Sequence, residues 1–284
     1  EKLVIANDLH RTGAESALAS TQSVIGERDA RIPEVAARLR RQGYIPCYSG
    51  RSIAQFNSLP VERSGKWDPA VDLVARLADP AVVTLLSRVL YFRLAIRSTC
   101  GSPKTNQRSV IACVLPCSAI TSNSLWAEGE PASRPYVSML VAACVLNSFV
   151  VDSMARPRII SNFNKAIMAA VPSCNVHPQS RSFLAHAATR LSCVSSDFLP
   201  LIHDQLGSRH QVGPHQIQWP LVRDEAERWS IRANIDAVVA DAYGLDRDQY
   251  RHVLSSFSHK SYPKAPELCL AAFDELKQIG LAAF

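Results

Sequence analysis

The sequence predicts an α+β fold, with mixed strands and helices first and helices alone afterwards. Two observations carry this expectation. Val89 to Ile96 and Arg108 to Leu115 are apolar runs rich in β-formers, and read as two buried strands. From Asp224 onward, apolar residues recur at helical spacing through Ile231, Ile235, Val238, Val239 and Ala242.

The elements follow in chain order. Glu1 to Arg31 is weakly patterned and reads as an incoming connector. Pro33 opens a helix, because proline is favoured in a first helical turn; Val35 and Leu39 share one side, and Gly43 stops it after Gln42. Tyr44 to Tyr48 is a short strand turned by Ser49-Gly50. Pro69 to Arg88 reads as helix broken at Asp79-Pro80. The two buried strands are joined by a Gly101-Ser102-Pro103 turn and a loop with Lys104, Thr105, Asn106 and Gln107.

Ser133 to Ala155 reads as one helix with a broad apolar face, ended by Pro157. Arg158 to Asn164 is extended, Asn164 to Ala170 a short helix, and Pro172 to Pro178 a linker. Ser180 to Leu206 is helical with a break near Pro200, and Gly207 to Pro220 is a polar loop. A helix over Asp224 to Tyr243 stops at Gly244. Asp246 and Gln249 then form a capping-box pattern before the stripe Tyr250, Val253, Leu254, Phe257. Pro266 starts a last helix to Ile279. The expected organisation is a connector over 1–43, an α/β core over 44–178 and a helical region over 179–284.

At 284 residues the chain is long enough for a sizeable core, and 47% hydrophobic with 20% charged residues reads as globular. A net charge of +6 suits an anionic partner such as nucleic acid. The eight cysteines are scattered and form no CxxC pair, which is expected of reduced thiols in a cytoplasmic protein. Glu1 to Ser20 is too polar for a secretory signal, and Tyr136 to Val151 is too short and polar to span a bilayer. A soluble protein without a membrane partner is therefore expected. Opening on Glu1 without a methionine is expected of a fragment of a longer protein.

Several chemistries lack their residues. There is no GxGxxG, Walker-type loop, GxSxG elbow or HExxH, and the chain has only 11 glycines to cradle phosphates. Cys174 and His177 have CxxH spacing but no second pair, so no metal site is expected. Asp224, Glu225 and Glu227 sit at a helix start, where the macrodipole favours negative charge, and Asp246 and Asp248 read the same way. Glu62 to Lys66 is too thin a cluster for a nuclease. No catalytic residue is assigned.

Four separated segments carry a resemblance. The first is Ile45 to Phe56, with Tyr48, Gly50 and Phe56 matching and Ser49 standing where the pattern is acidic. The second runs from Arg93 to Pro116; Arg97, Asn106 and Arg108 match, while Ser98 and Gln107 replace Asp and Glu. The third is Leu146-Asn147-Ser148-Phe149-Val150-Val151-Asp152, then Arg156, Asn162, Asn164 and Val171-Pro172. The last lies within Arg232 to Phe257, around Asn234 to Leu245. In this order they resemble the C-terminal target-recognition region of adenine-specific DNA methyltransferases of restriction-modification and phage-defence systems, including type II fusion enzymes.

The resemblance implies a mixed-sheet target-recognition domain, a duplex DNA partner, and a catalytic methyltransferase domain or subunit using S-adenosylmethionine. This chain lacks the Gly-containing cofactor loop and the Asn-Pro-Pro-aromatic motif of such enzymes, so it reads as the non-catalytic part, with no cofactor of its own. Arg97, Lys104 and Arg108 flank the turn between the buried strands and suit phosphates; Asn106 and Gln107 suit base edges. Arg108 pairing locally in a solvated hairpin is the alternative. Arg51 and Gln55, after the Gly50 turn, are second candidates. Arg156 and Arg158 suit either the DNA backbone or the C-terminus of their own helix. Asn147 and Asp152 lie in an apolar helix, need partners, and are expected to fix a neighbouring loop. Two other functional classes stay open: a protein-interaction module of a defence complex, and a stand-alone hydrolase.

Overall fold

A computed structural model describes residues 5–9, 17–58, 70–100, 108–206, 212–213, 216–217, 222 and 224–284. The chain forms two compact units, one of Glu1–Thr99 with Ala112–Arg134, the other of Cys100–Ile111 with Pro135–Phe284. The fold is a mixed α+β architecture with a helical C-terminal region, as the pattern of elements predicts.

In the first unit the order is β1 (Ile5–Ala6), β2 (Leu18–Ser20), α1 (Thr21–Ile25), α2 (Pro33–Arg41), β3 (Tyr44–Tyr48), β4 (Leu73–Arg76), α3 (Pro80–Val83), α4 (Leu86–Val89), β5 (Arg93–Arg97), β6 (Ala112–Leu115), β7 (Ile120–Thr121) and β8 (Leu125–Glu128). One four-stranded sheet has the order β1-β8-β5-β6 and is antiparallel throughout. The other runs β2-β4-β3-β7, with β3 and β7 parallel, so it is mixed. Strands β5 and β6 pair from Arg93 opposite Leu115 to Ile96 opposite Ala112. Their apolar side chains are wholly buried, which is why these runs are continuous and not alternating.

The second sheet packs Ile45, Cys47, Ala75 and Ile120 against Val82, Leu85 and Val89 of α3 and α4. A buried ion pair links the two sheets. Arg93 on β5 holds Asp8 through two bonds of 2.8 and 2.7 Å, and also donates to the Ala119 carbonyl at 2.6 Å. Asp8 in turn accepts from Thr121 N–H on β7 at 3.0 Å. A bidentate, fully hydrogen-bonded pair of this kind is what makes burial of both charges tolerable.

In the second unit, α5 (Tyr136–Leu146), α6 (Phe149–Ala155), α7 (Lys165–Ala170), α8 (Pro178–Ser192) and α9 (Leu199–Leu206) precede a short antiparallel pair, β9 (Val212–Gly213) with β10 (Gln216–Ile217). Then come α10 (Glu225–Ala242), α11 (Arg247–Ser255) and α12 (Ala265–Ile279). Helix α10 packs against α12, α8, α5 and α6, so it is buried along much of its length. Gly244, at φ 72°, takes the left-handed position after α10 that favours glycine, and the Asp246–Gln249 capping box forms with both bonds made.

Four expectations need correction. The helix expected over Pro69 to Arg88 does not form over the described residues 70–78. Leu73–Arg76 is instead the strand β4, held between β2 and β3, and tertiary pairing overrides a short, weakly alternating run. Ser133 to Ala155 is not one helix: α5 and α6 bend by 67° at Asn147-Ser148. Ser148 is extended, with ψ 153°, and its hydroxyl caps α6 by accepting from Val151 N–H at 3.1 Å. The break in Ser180 to Leu206 falls over residues 193–198, ahead of Pro200, which lies inside α9. The strand expected from Val89 begins only at Arg93, since Val89 closes α4.

Candidate nucleic-acid interface

The predicted basic residues fall into two kinds, those locked into the fold and those exposed. In the second unit, Arg108 and Arg156 converge on Asp152 of α6. The Asp152 side chain is 0% exposed, with Arg108 Nε 3.0 Å from Oδ2 and Arg156 Nε 3.8 Å from Oδ1. Asp152 Oδ2 also accepts from Ser109 N–H at 2.8 Å and Val110 N–H at 3.3 Å. The carboxylate therefore fixes the segment after the predicted DNA-reading loop, which is the role expected of a buried polar group here.

Arg108 also donates to the Asn147 carbonyl, at the break between α5 and α6. Its guanidinium lies 4.2 Å from the Phe149 ring centroid and 5.5 Å from that of Phe257. Arg156 stacks on the other ring, 3.8 Å from the Phe257 centroid, and donates to Ser256 O at 3.0 Å. Phe149 and Phe257 meet edge to face at 4.8 Å. A fourth charge completes the cluster: Asp236 of α10 accepts from Phe149 N–H at 2.6 Å, at the start of α6.

Burial dominates the electrostatics. It pushes the Asp152 carboxyl up, against the pull of Arg108, the Ser109 N–H and Arg156. It raises Asp236 to about 7; Arg108 and the Phe149 N–H oppose this, and Asp152 reinforces it. Burial also lowers Arg156, opposed by Asp152 and reinforced by Arg108. His259, tilted against Phe149 at 5.2 Å, is lowered by burial.

In the first unit, Arg97 is half-buried and its guanidinium donates to the Ile53 carbonyl. Gly50 is close-packed beneath it: a Cβ there would lie 2.9 Å from Ser124 O and 3.2 Å from Arg97 Cγ. Arg51 is exposed, with its side chain 61% accessible, and pairs with Asp72 across the surface. Gln55 is half-buried in the turn between Ala54 and Asn57. Arg158 in the second unit is exposed and donates to Met154 O at 2.7 Å, satisfying the end of α6. Lys104, Asn106 and Gln107 lie outside the described residues.

Asp236 and Phe257 were not recognised as partners of this cluster. A signal existed for Asp236, because a carboxylate between Ile235 and Val238 on an apolar stripe needs a specific buried partner. Charge along the chain is also uneven. Residues 80–196 hold eleven Lys and Arg against three acidic residues, and the remainder holds twenty against twenty-two. Of those three acids, Asp152 and Glu128 are buried in ion pairs with Arg108 and Arg134, which leaves Glu130 exposed.

No family model matches the chain, and no curated protein matches its sequence. Among solved structures, the chain is similar to the Type IIL restriction-modification enzyme MmeI in complex with DNA, with 12% identity and a TM-score of 0.45. The match covers 90% of this chain and 36% of that one, so the chain spans little more than a third of that enzyme's length.

Proposed function

We propose that this chain is a DNA target-recognition module serving an N6-adenine DNA methyltransferase of a restriction-modification or phage-defence system. It binds duplex DNA, and a separate catalytic domain or subunit supplies S-adenosylmethionine and the methyl transfer. The observation that carries this reading is the meeting of the four resembling segments within the compact units. In the first unit the first and second segments join, through Arg97 to the Ile53 carbonyl and through Phe56 N–H to Ala112 O at 2.9 Å. In the second unit Arg108 of the second segment, Asn147, Phe149 and Asp152 of the third, and Asp236 and Phe257 of the last form one cluster. Contacts of this kind between the resembling segments are what a common scaffold would make, and they support the reading.

The DNA partner is supported by the charge distribution, since residues 80–196 carry all of the basic excess with one exposed acid. Within this reading Arg108 and Arg156 hold the frame. The exposed Arg51 and Arg158, and Arg97 where its guanidinium is accessible, serve phosphates. Lys104, between β5 and Arg108 in sequence, also serves a phosphate, and Asn106 and Gln107 beside it read the target.

Duplex binding across a salt series tests this. Affinity should fall as salt rises, and Arg51→Ala and Arg158→Ala should each reduce the slope of log K against log salt by about 0.9. Lys104→Ala should act likewise, and Asn106→Ala should relax base preference. Arg108→Ala is a poor probe, because it strands the buried Asp152. Absence of binding at low salt overturns the reading.

A further inference from the structure

Ile160 is 92% exposed, the highest value for a large apolar side chain among the described residues. Its loop is pinned on both sides. Ile159 and Phe163 are buried at 3% and 0%, and Ile159 N–H donates to Arg156 O at 3.0 Å. The Ser161 carbonyl accepts from Cys100 N–H at 2.9 Å, and Asn164 caps α7 by accepting from Ile167 N–H at 3.0 Å. The isoleucine is thus held outward by a fixed backbone.

A single exposed isoleucine ordinarily needs no explanation. This one lies in a stretch with no carboxylate from Ser153 to Ser196, which holds Arg156, Arg158, Lys165, Arg181 and Arg190. Of its exposed neighbours along the chain, Arg158, Ser161, Asn162, Asn164 and Lys165 are basic or polar, and Pro157 and Ala166 are small. One apolar tip among basic and polar groups is not the contiguous apolar patch that the core of a protein interface needs. It matches the arrangement in which an aliphatic side chain enters between base steps while cations hold the flanking phosphates.

We propose that the loop over residues 158–165 is a DNA-contacting edge in which Ile160 is a wedge against stacked bases and Arg158 contacts a neighbouring phosphate. The proposal rests on the reading of the chain as a duplex-binding module. The wedge unstacks a step partly and bends the duplex toward the major groove.

The test uses the full chain and a duplex carrying 2-aminopurine at spaced adenine positions, whose fluorescence rises when a base unstacks. The wild type should raise the fluorescence on binding. Ile160→Ala should abolish the rise and weaken binding by about tenfold, from lost apolar burial, while leaving the salt slope unchanged. Its thermal unfolding should match the wild type, since the side chain is exposed. Arg158→Ala should keep the rise at saturation and reduce the salt slope by about 0.9. A wild-type complex with no rise, or an Ile160→Ala complex with wild-type rise and affinity, overturns the wedge and leaves DNA binding standing. Failure of the wild type to bind at low salt overturns both.

Discussion

Asp152→Ala is the substitution that strikes the frame hardest. The carboxylate is fully buried; Oδ2 accepts from Ser109 N–H and Val110 N–H at 2.8 and 3.3 Å and lies 3.0 Å from Arg108 Nε in an ion pair. Each buried N–H left without its acceptor costs about 1–3 kcal/mol. Stranding one partner of a buried ion pair costs about 3–5 kcal/mol. These overlap and do not add, and Arg108, at 16% side-chain exposure, recovers some hydration. The net expectation is a loss of about 3–5 kcal/mol, a fall in Tm on the order of 10 °C for a chain of this size. The assay should pair denaturant unfolding with amide exchange at Ser109 and Val110, which reads the loss at the site itself. Both amides should exchange faster by roughly a hundredfold or more. Asp152→Asn keeps an acceptor and should lose less. The double change Arg108→Met with Asp152→Leu removes the ion pair but leaves the Ser109 and Val110 N–H groups without an acceptor, so it should recover only the part of the loss that comes from the stranded Arg108 charge. A loss under about 1 kcal/mol in Asp152→Ala, with unchanged exchange at both amides, would refute the reasoning.

Three further outcomes are expected. Asp236 has its carboxyl raised from 3.8 to about 7, so the folded state holds the proton more tightly than the unfolded one. Its contribution to stability is therefore full below about pH 4 and lost as pH rises through about 7, by at most about 4 kcal/mol. Denaturation between pH 4 and 7 should show this decline and Asp236→Asn should flatten it; an unchanged slope counts against the assignment. Asp8→Ala leaves Arg93 buried and without its carboxylate, and should destabilise the first unit by about 3–5 kcal/mol in denaturant melts. Gly50→Ala places a Cβ 2.9 Å from the Ser124 carbonyl and should cost about 1–3 kcal/mol, read as a lower denaturation midpoint with unchanged slope.

What the sequence discloses follows from how local each cause is. The capping box at Asp246 and Gln249, the stop at Gly244 and the buried run of β6 are written in neighbouring residues, and they were legible. Strand β4 was not, because its partners β2 and β3 create the preference that its own residues lack. The bend at Asn147-Ser148 was hidden by the apolar residues on both sides, although Ser148 is a good helix cap. The site divides the same way. Position beside a turn marks Arg108 as a candidate phosphate contact. Only the fold brings Asp152, Asn147 and Phe257 to it, and these occupy its guanidinium. Asp152 itself was legible as a buried group that must fix a loop, because a carboxylate in an apolar helix has no other stable arrangement.

The most direct measurement is the affinity of the full chain for duplex DNA over a salt series, with the wild type beside Arg158→Ala and the Arg108→Met, Asp152→Leu double variant. Binding by the wild type should be salt-sensitive, with a slope smaller by about 0.9 for Arg158→Ala and the wild-type slope for the double variant. No binding at low salt, or affinity that does not change with salt, would contradict this and favour a protein-interaction module instead.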